Sequence, residues 1–269
     1  MNPASPSQVK AWCIGNGFHP NRTLGQNFLV DRNILKAIAS AGLEGVSPGA
    51  LVLEVGPGLG ALTGSLLERG VRVVAVEKDP VLAERLDAAL GSPDALRTVR
   101  GDALRYIADG MEGLAFDAMV SNLPYQCGTR ILLELALARA IPRMTALVQT
   151  EVAERLAAPE GSKTRSLAGV LAQLDYDVRI LRKVSATCFW PRPEVGSAVV
   201  SFVRHDGPEP LDAAGRRAFR DAAKRAFAHR RKQLGGIFRA DLVKSTARAE
   251  DLSNAQWIEL AKGLANGHT

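Results

Sequence analysis

The sequence predicts an α/β protein: a parallel sheet with helices on both faces, followed by a small, basic, all-helical C-terminal domain. Three observations carry this. Between residues 31 and 148, short apolar runs alternate with segments of helical period, the pattern of strand–helix–strand units. A glycine-rich turn, Gly56-Pro57-Gly58-Leu59-Gly60, joins the first of those runs to a helix. Past residue 210 the charge balance changes: residues 211–269 hold 12 basic and 6 acidic side chains, whereas the residues before them balance at 22 against 22. The Pro- and Gly-containing stretch 205–210 reads as the linker, dividing a main domain, 1–205, from an appendage, 206–269.

Asp31 is placed to cap a helix whose Ile34, Leu35 and Ile38 share one face, ending near Gly42. Ser47-Pro48-Gly49 is a turn, and Leu51-Val52-Leu53 a buried strand. The glycine turn opens a helix through Leu62, Leu66 and Leu67, and 71–76 is the next strand. Asp79-Pro80 caps a helix through Leu82, Leu86 and Leu90, with proline in its first turn. Strands are expected at 96–99, 116–120 and 146–148, with a helix over 129–140. Residues 167–184 and 197–203 are longer, β-branched toward their ends, and read as antiparallel strands closing the sheet.

Composition narrows the class. With 46% hydrophobic and 23% charged residues the chain is neither disordered nor a disulfide-stapled miniprotein. No apolar run approaches the ~20 residues needed to span a bilayer, and residues 1–18 lack the apolar centre of a signal peptide. Cys13, Cys127 and Cys188 lie far apart with no CxxC pair, which points to reduced thiols in the cytoplasm. The four histidines, His19, His205, His229 and His268, are scattered, so no metal site is expected.

Glu54 to Ala61 sits between a strand and a helix, and Glu77 ends the next strand 21 residues after Gly56. Such glycines let a ligand touch bare backbone, while the carboxylate accepts hydrogen bonds from ribose hydroxyls. Gly56, Gly58 and Ala61 also satisfy a dinucleotide fingerprint, so the motif alone does not decide the ligand. Three features favour S-adenosylmethionine. A carboxylate at Glu54 is unwelcome beside pyrophosphate but suits the ammonium group of a methionine moiety. Asp102 follows the third strand, where it can accept from an adenine amine. Asn122-Leu123-Pro124-Tyr125 follows the fourth.

That tetrapeptide is an ordinary turn in isolation. After the fourth strand of a cofactor-binding sheet it has a chemical rationale. The adenine exocyclic amine is a poor nucleophile because its lone pair is delocalised into the ring. Two acceptors, the Asn122 side-chain oxygen and the Leu123 carbonyl, would hold its hydrogens and direct the lone pair at a methyl group. Pro124 would fix the backbone, and Tyr125 would offer a face for a flipped-out base.

The chain resembles the rRNA adenine dimethyltransferases, most closely those acting on the small subunit, over about residues 20–240. The resemblance rests on Leu24-Gly25-Gln26-Asn27-Phe28-Leu29, on Glu54 to Thr63, on Asn122-Leu123-Pro124-Tyr125 and on the run from Phe189 to Val200. Ala226-Phe227 and Arg230-Arg231-Lys232-Gln233-Leu234 are also similar to the family's C-terminal segment. It implies a class I, Rossmann-like methyltransferase sheet of about seven strands with a small helical C-terminal domain. It further implies that Asn27, Leu29, Gly56, Glu77, Asp102 and Asn122 bind S-adenosylmethionine. Asn122, Leu123, Pro124 and Tyr125 would form the catalytic motif, with Phe189 stacking on the other face of the base. Without the family, Phe189 reads as core. Two departures fall near the expected substrate: Gln126-Cys127-Gly128 where members commonly carry Asn-Ile-Ser, and Thr164-Arg165 where many carry Tyr-Gly.

The expected activity is N6-dimethylation of two adjacent adenosines in small-subunit (16S) rRNA, by a cytoplasmic monomer that binds RNA and no membrane. The nearest alternative is the large-subunit (23S) rRNA methyltransferase that confers macrolide resistance, which shares every catalytic motif. An NAD-dependent oxidoreductase and a non-catalytic RNA-binding assembly factor are the rivals from other classes. The basic run from Arg216 to Arg239, nine cations to the single acid Asp221, is either an RNA-contacting face or a solvated helix surface.

Overall fold

Each expected strand–helix unit forms, and the helices Arg32–Gly42 and Pro80–Ala89 start at the aspartates expected to cap them. In chain order the elements are α1 (Pro6–Gly15), β1 (Phe28–Leu29), α2 (Arg32–Gly42), β2 (Leu51–Val55), α3 (Ala61–Leu67), β3 (Arg72–Glu77), α4 (Pro80–Ala89), β4 (Leu96–Arg100), α5 (Ala103–Ala108), β5 (Ala118–Asn122), α6 (Gly128–Leu137), β6 (Arg143–Gln149), α7 (Thr150–Leu156), α8 (Leu167–Ala172), β7 (Tyr176–Val184), β8 (Phe189–Trp190), β9 (Ser197–Arg204), α9 (Ala213–Ala228) and α10 (Asn254–Ala265). This computed structural model describes all residues except 22–24, 240, 245 and 268–269. Leu24 of the first family-like motif and His268 lie outside the described residues.

Asp31 accepts from the Asn33 and Ile34 N–H groups, Asp79 from those of Val81 and Leu82, and Asp102 from that of Leu104. Each cap satisfies N–H groups that the first helical turn leaves unpaired, and so fixes where α2, α4 and α5 begin.

Seven strands form one sheet in the order β4-β3-β2-β5-β6-β9-β7. The pairs of β2 with β3 and β5, of β3 with β4 and of β5 with β6 are parallel, whereas β9 runs antiparallel to β6 from Arg143↔Val203 to Gln149↔Ser197. A second, two-stranded sheet pairs β1 with β8, setting Leu29 opposite Phe189. The core that holds α2 and α3 on the sheet includes Leu35, Ile38, Leu66, Val73 and Val120. This is the α/β, class I arrangement, and the strand order reverses beside β2, where open α/β sheets bind ligands.

The structure departs from the sequence reading at residues 167–172 and in three helices that the reading lacks, α1, α5 and α7. Residues 167–172 are a helix rather than part of a strand: Ser166 accepts from the Gly169 N–H, and Gly169 to Ala172 are all buried. A fully buried helical turn carries no polar face, so its apolar run is indistinguishable from a strand by period alone. The helix α1 is absent from the reading because it is weakly amphipathic, burying only Val9 and Cys13.

By compactness the chain divides into one unit of Met1–Ala153 with Arg179–Val203, and a second of Glu154–Val178 with Arg204–Thr269. The second unit is built around Trp257, which has no exposed surface. The Phe219 ring meets it edge-on at 6.3 Å and the Phe227 ring stacks on it at 6.2 Å. Thus the apolar stripe of α9 faces α10. Among the described residues no helix is long and apolar enough to cross a membrane.

Trp257→Ala removes the side chain that both phenylalanines pack against. Urea denaturation should show a loss of about 3–5 kcal/mol; a loss under 1 kcal/mol would mean that the aromatic cluster does not hold this unit together.

Candidate active site

The carboxyl ends of β2, β3, β4 and β5 open into one cleft, and the loops there are shaped by close approaches. Gly56 and Gly58 adopt φ of 68° and 58°, which disfavour any side chain. A Cβ on Gly58 would lie 3.2 Å from the Phe28 ring, and one on Gly56 would lie 3.4 Å from the Pro124 ring. The glycine turn is therefore threaded between β1 and the tetrapeptide after β5. The buried Ser121 hydroxyl ties β5 to β2 by accepting from the Val55 N–H at 2.9 Å.

Glu77 ends β3 and is buried. Its Oε2 accepts from the Gly58 N–H at 3.0 Å, and its Oε1 from the Asp79 N–H at 2.9 Å. Burial raises its pKa, opposed by these N–H donors. A carboxylate offers about four acceptor positions, so two remain for a ligand. Asp102 caps α5 with one oxygen and accepts from Lys78 Nζ at 2.8 Å with the other. The lysine holds its carboxyl below the ordinary range.

Glu54 lies deeper, 1% exposed, and its Oε2 has no hydrogen-bond partner. Burial pushes its pKa up to about 8; the Thr63 hydroxyl works against this and the Glu77 charge adds to it. Its surroundings thus favour the neutral acid, whereas the sequence reading treats it as an anion. Only burial, which sequence does not display, distinguishes the two.

Asn122 ends β5, and its Nδ2 donates to the Asn27 carbonyl at 3.4 Å. Since a carbonyl accepts and cannot donate, this contact sets the amide's orientation and leaves Oδ1 available as an acceptor. The Pro124 carbonyl accepts from the Gly128 N–H at 2.8 Å, which closes the turn, while the Leu123 carbonyl receives no backbone hydrogen bond among the described residues. The Tyr125 hydroxyl is 2.7 Å from Ser197 Oγ at the start of β9, which anchors the ring. Burial raises this phenol's pKa.

Nine of the ten expected site residues, Asn27, Leu29, Gly56, Glu77, Asp102, Asn122, Leu123, Pro124 and Tyr125, line this cleft. Phe189 does not. It sits in β8, 4% exposed, in one apolar cluster with Leu29, Val184 and Val199. The sequence reading passed over Gln26, Lys78 and Ser197. Gln26 donates to Asp79 Oδ2 at 2.9 Å and so joins the Asn27 segment to α4. Gln26 and Ser197 each carry the signal of a place inside a matched motif, whereas Lys78 has only its position after Glu77. Gln126 and Cys127, which depart from the family pattern, also line the cleft. Among the described residues no group of three or more His, Cys, Asp or Glu could hold a metal ion.

The basic C-terminal run sorts into distinct roles. Arg216 is bidentate to the buried Asp175 at 2.7 and 2.8 Å and also reaches Glu209. Arg230 donates to the Lys163 carbonyl and pairs with Glu250 at 3.5 Å. Arg217, Arg220 and Lys224 are exposed on the face of α9 opposite Phe219 and Ala223, and Arg231 and Lys232 are exposed beyond its end.

Comparison with known proteins adds the following. Residues 17–264 match the family described as ribosomal RNA adenine dimethylase. The chain is similar to the ribosomal RNA small subunit methyltransferase A of Nocardia farcinica, 40% identical over 95% of this chain and 94% of that one. It is likewise 37% identical to the protein of that description from Sphingopyxis alaskensis, over 93% of this chain and 96% of that one. Among solved structures, a dimethyladenosine transferase from Plasmodium falciparum shares the fold, with a TM-score of 0.73 at 20% identity over 88% of this chain and 97% of that one. The 23S rRNA methyltransferase ErmE has a TM-score of 0.65 at 25% identity over 88% of this chain and 98% of that one.

The buried acid has a pH signature. Folded Glu54 keeps its proton up to about pH 8, whereas an unfolded glutamate loses it near the ordinary value of 4.5. The unfolded state then binds fewer protons, so stability falls as pH rises between those values. Glu54→Gln removes this contribution. Urea denaturation from pH 5 to pH 8 should show the variant gaining on wild type, by on the order of a few kcal/mol at the upper end. A gap independent of pH would contradict burial of Glu54 as an acid.

Proposed function

This chain belongs to the ribosomal RNA adenine dimethylase family, and from that premise we propose that it dimethylates the N6 amines of two adjacent adenosines in small-subunit (16S) rRNA, using S-adenosylmethionine. The cleft's chemistry fits that cofactor: a buried carboxyl oxygen without a partner at Glu54, two spare acceptor positions on Glu77, and bare backbone at Gly56. Glu77 would accept from the ribose hydroxyls, Asp102 from the adenine amine and Glu54 from the methionine ammonium group. Asn27, Leu29, Gly56 and Asn122 would complete the site. When bound, the cofactor supplies an electrophilic methyl group on a sulfonium and leaves as S-adenosylhomocysteine.

The observation that carries the reading is the orientation of Asn122. Its Nδ2 is committed to the Asn27 carbonyl, so Oδ1 can accept from the target amine. With the Leu123 carbonyl as second acceptor, both amine hydrogens are held and the nitrogen lone pair is directed out of the ring plane. Pro124 stiffens the turn that presents both acceptors. Tyr125, tethered through its hydroxyl to Ser197, offers its face to a base that has left its stack. Phe189 would stack on the base's other face by turning out of the cluster that holds it in the free protein.

We assign RNA contact to the helical C-terminal residues 206–269, through Arg217, Arg220 and Lys224 on α9 and Arg231 and Lys232 beyond it. Arg216 and Arg230 serve their own unit's structure. The protein would act in the cytoplasm as a monomer, a setting that suits its free Cys13, Cys127 and Cys188.

Incubating the protein with unmethylated small ribosomal subunits and labelled cofactor, then mapping by mass spectrometry, should yield two adjacent dimethyladenosines. Label confined to large-subunit RNA would transfer the assignment to the 23S enzyme. In single turnover with saturating RNA and cofactor, Asn122→Ala should slow methylation by 10²-fold or so, the cost of one oriented polar group of roughly 3 kcal/mol. A wild-type rate would remove Asn122 from the chemical step.

RNA affinity should also fall steeply with salt, because each neutralised phosphate releases counterions. Changing Arg217, Arg220 and Lys224 together to Gln should flatten the salt slope by up to about 3, roughly 1 per lost phosphate contact. Equal slopes would mean that this face of α9 is merely solvated.

A further inference from the structure

Glu54 is an anomaly in the cleft beyond its use as a contact. A structural carboxyl at its depth is expected to be paired. Instead its Oε2 makes no hydrogen bond of ordinary geometry, and neither does Oγ1 of Thr63 on α3, an equally buried hydroxyl that is near enough to oppose the rise in the carboxyl's pKa without satisfying it. Neither strand beside β2 places a cation at Glu54: Arg72 of β3 stands opposite Leu51 at the other end of the strand and donates to the Gly49 carbonyl. From β3 comes Glu77, of like sign, with both oxygens already accepting from backbone N–H groups. From β5 come the uncharged Ser121 and Asn122, and from the 25–29 segment Gln26 and Asn27. The charged side chains that line the cleft are Glu54, Glu77, Asp102 and Lys78, and the other titratable groups there, the Tyr125 phenol and the Cys127 thiol, are both raised by burial and bring no positive charge. The lysine is committed to Asp102 at 2.8 Å. Three carboxyls and one engaged ammonium leave a buried site short of positive charge, with its deepest acceptor unused.

We propose that Glu54 stands as a neutral acid in the free protein and gives its proton to solvent when the cofactor's ammonium group enters the cleft, so that cofactor binding releases a proton. This rests on the cofactor reading above and adds to it a linkage between ligand charge and protonation. The step breaks only the carboxyl O–H bond; the proton passes to water or buffer, and nothing is oxidised or reduced. Burial and the Glu77 charge favour the neutral form, consistent with a carboxyl pushed up to about 8. An adjacent cation reverses that preference.

The linkage selects ligands by their amino-acid tail. S-adenosylmethionine and S-adenosylhomocysteine both carry the ammonium group and should both release a proton. 5′-Methylthioadenosine offers the same base, ribose and a thioether without an ammonium group, and should release none. Below about pH 8 the affinity for tailed ligands should rise up to about tenfold per pH unit, as one-proton linkage requires.

Titration calorimetry at pH 7 in two buffers of different ionisation enthalpy measures the protons exchanged. Wild type should release close to one proton with S-adenosylhomocysteine and none with 5′-methylthioadenosine. Glu54→Gln, which keeps the side chain's shape, should bind S-adenosylhomocysteine with no proton release and a flat affinity profile from pH 6 to pH 8. Equal proton release by wild type and variant would overturn the proposal and pass the titration to Glu77. Binding by wild type without release, or equal release with both ligands, would also overturn it, and these two need no variant. If neither ligand binds at any pH, the cofactor reading itself fails.

Discussion

The cleft depends on one buried carboxylate. Glu77 accepts from the Gly58 and Asp79 backbones, and through them it ties the glycine turn after β2 to the start of α4. Further polar contacts continue from there around the rim. Asp79 caps α4 and accepts from Gln26; the next residue, Asn27, presents its carbonyl to Asn122. Elements far apart in sequence are thus brought into register by a few hydrogen bonds, each made where water is largely excluded and where an unmade bond is expensive. The residue proposed to accept from the ribose is also the one that shapes the loop beside it, so a change at Glu77 would alter loop geometry as well as any ligand contact.

Electrostatics divides the chain into two chemically opposite regions. The cleft concentrates carboxyls and holds its lysine in an ion pair, which suits a ligand carrying positive charge. The C-terminal helices concentrate guanidinium and ammonium groups on the exposed face of α9, which suits phosphates. A methyltransferase acting on RNA must accommodate a cationic small molecule and a polyanion together.

Much of this was legible from residues alone because the signals were local. Asp31 and Asp79 announce their helices by capping, and the glycine turn adopts positive φ at Gly56, Gly58 and Gly60. The tetrapeptide Asn122 to Tyr125 placed its own acceptors, since adjacent residues on one turn must be neighbours. What failed to show was non-local. Residues 167–172 were unreadable because burial of the turn Gly169 to Ala172 erases the polar face that marks a helix. Arg216 and Arg230 looked like their exposed neighbours in a basic run, yet Asp175 and Glu250, distant in sequence, recruit them into structure. Phe189 carried two readings from the outset, stacking or core, and in the free protein it is packed in the core.

The sequence by itself determined the strand–helix order, the turn that needs glycine, the polar residues at the strand ends and the family. Each of these is set by interactions among residues close along the chain, or by a motif whose order is its meaning. Only the tertiary structure decided which way the Asn122 amide points, which cations of the basic run remain exposed, and that Glu54 is buried with an oxygen left unpartnered. Those outcomes depend on depth from solvent and on partners from other strands. A carboxyl's charge is a property of the dielectric around it, and that surrounding exists only once the chain has folded.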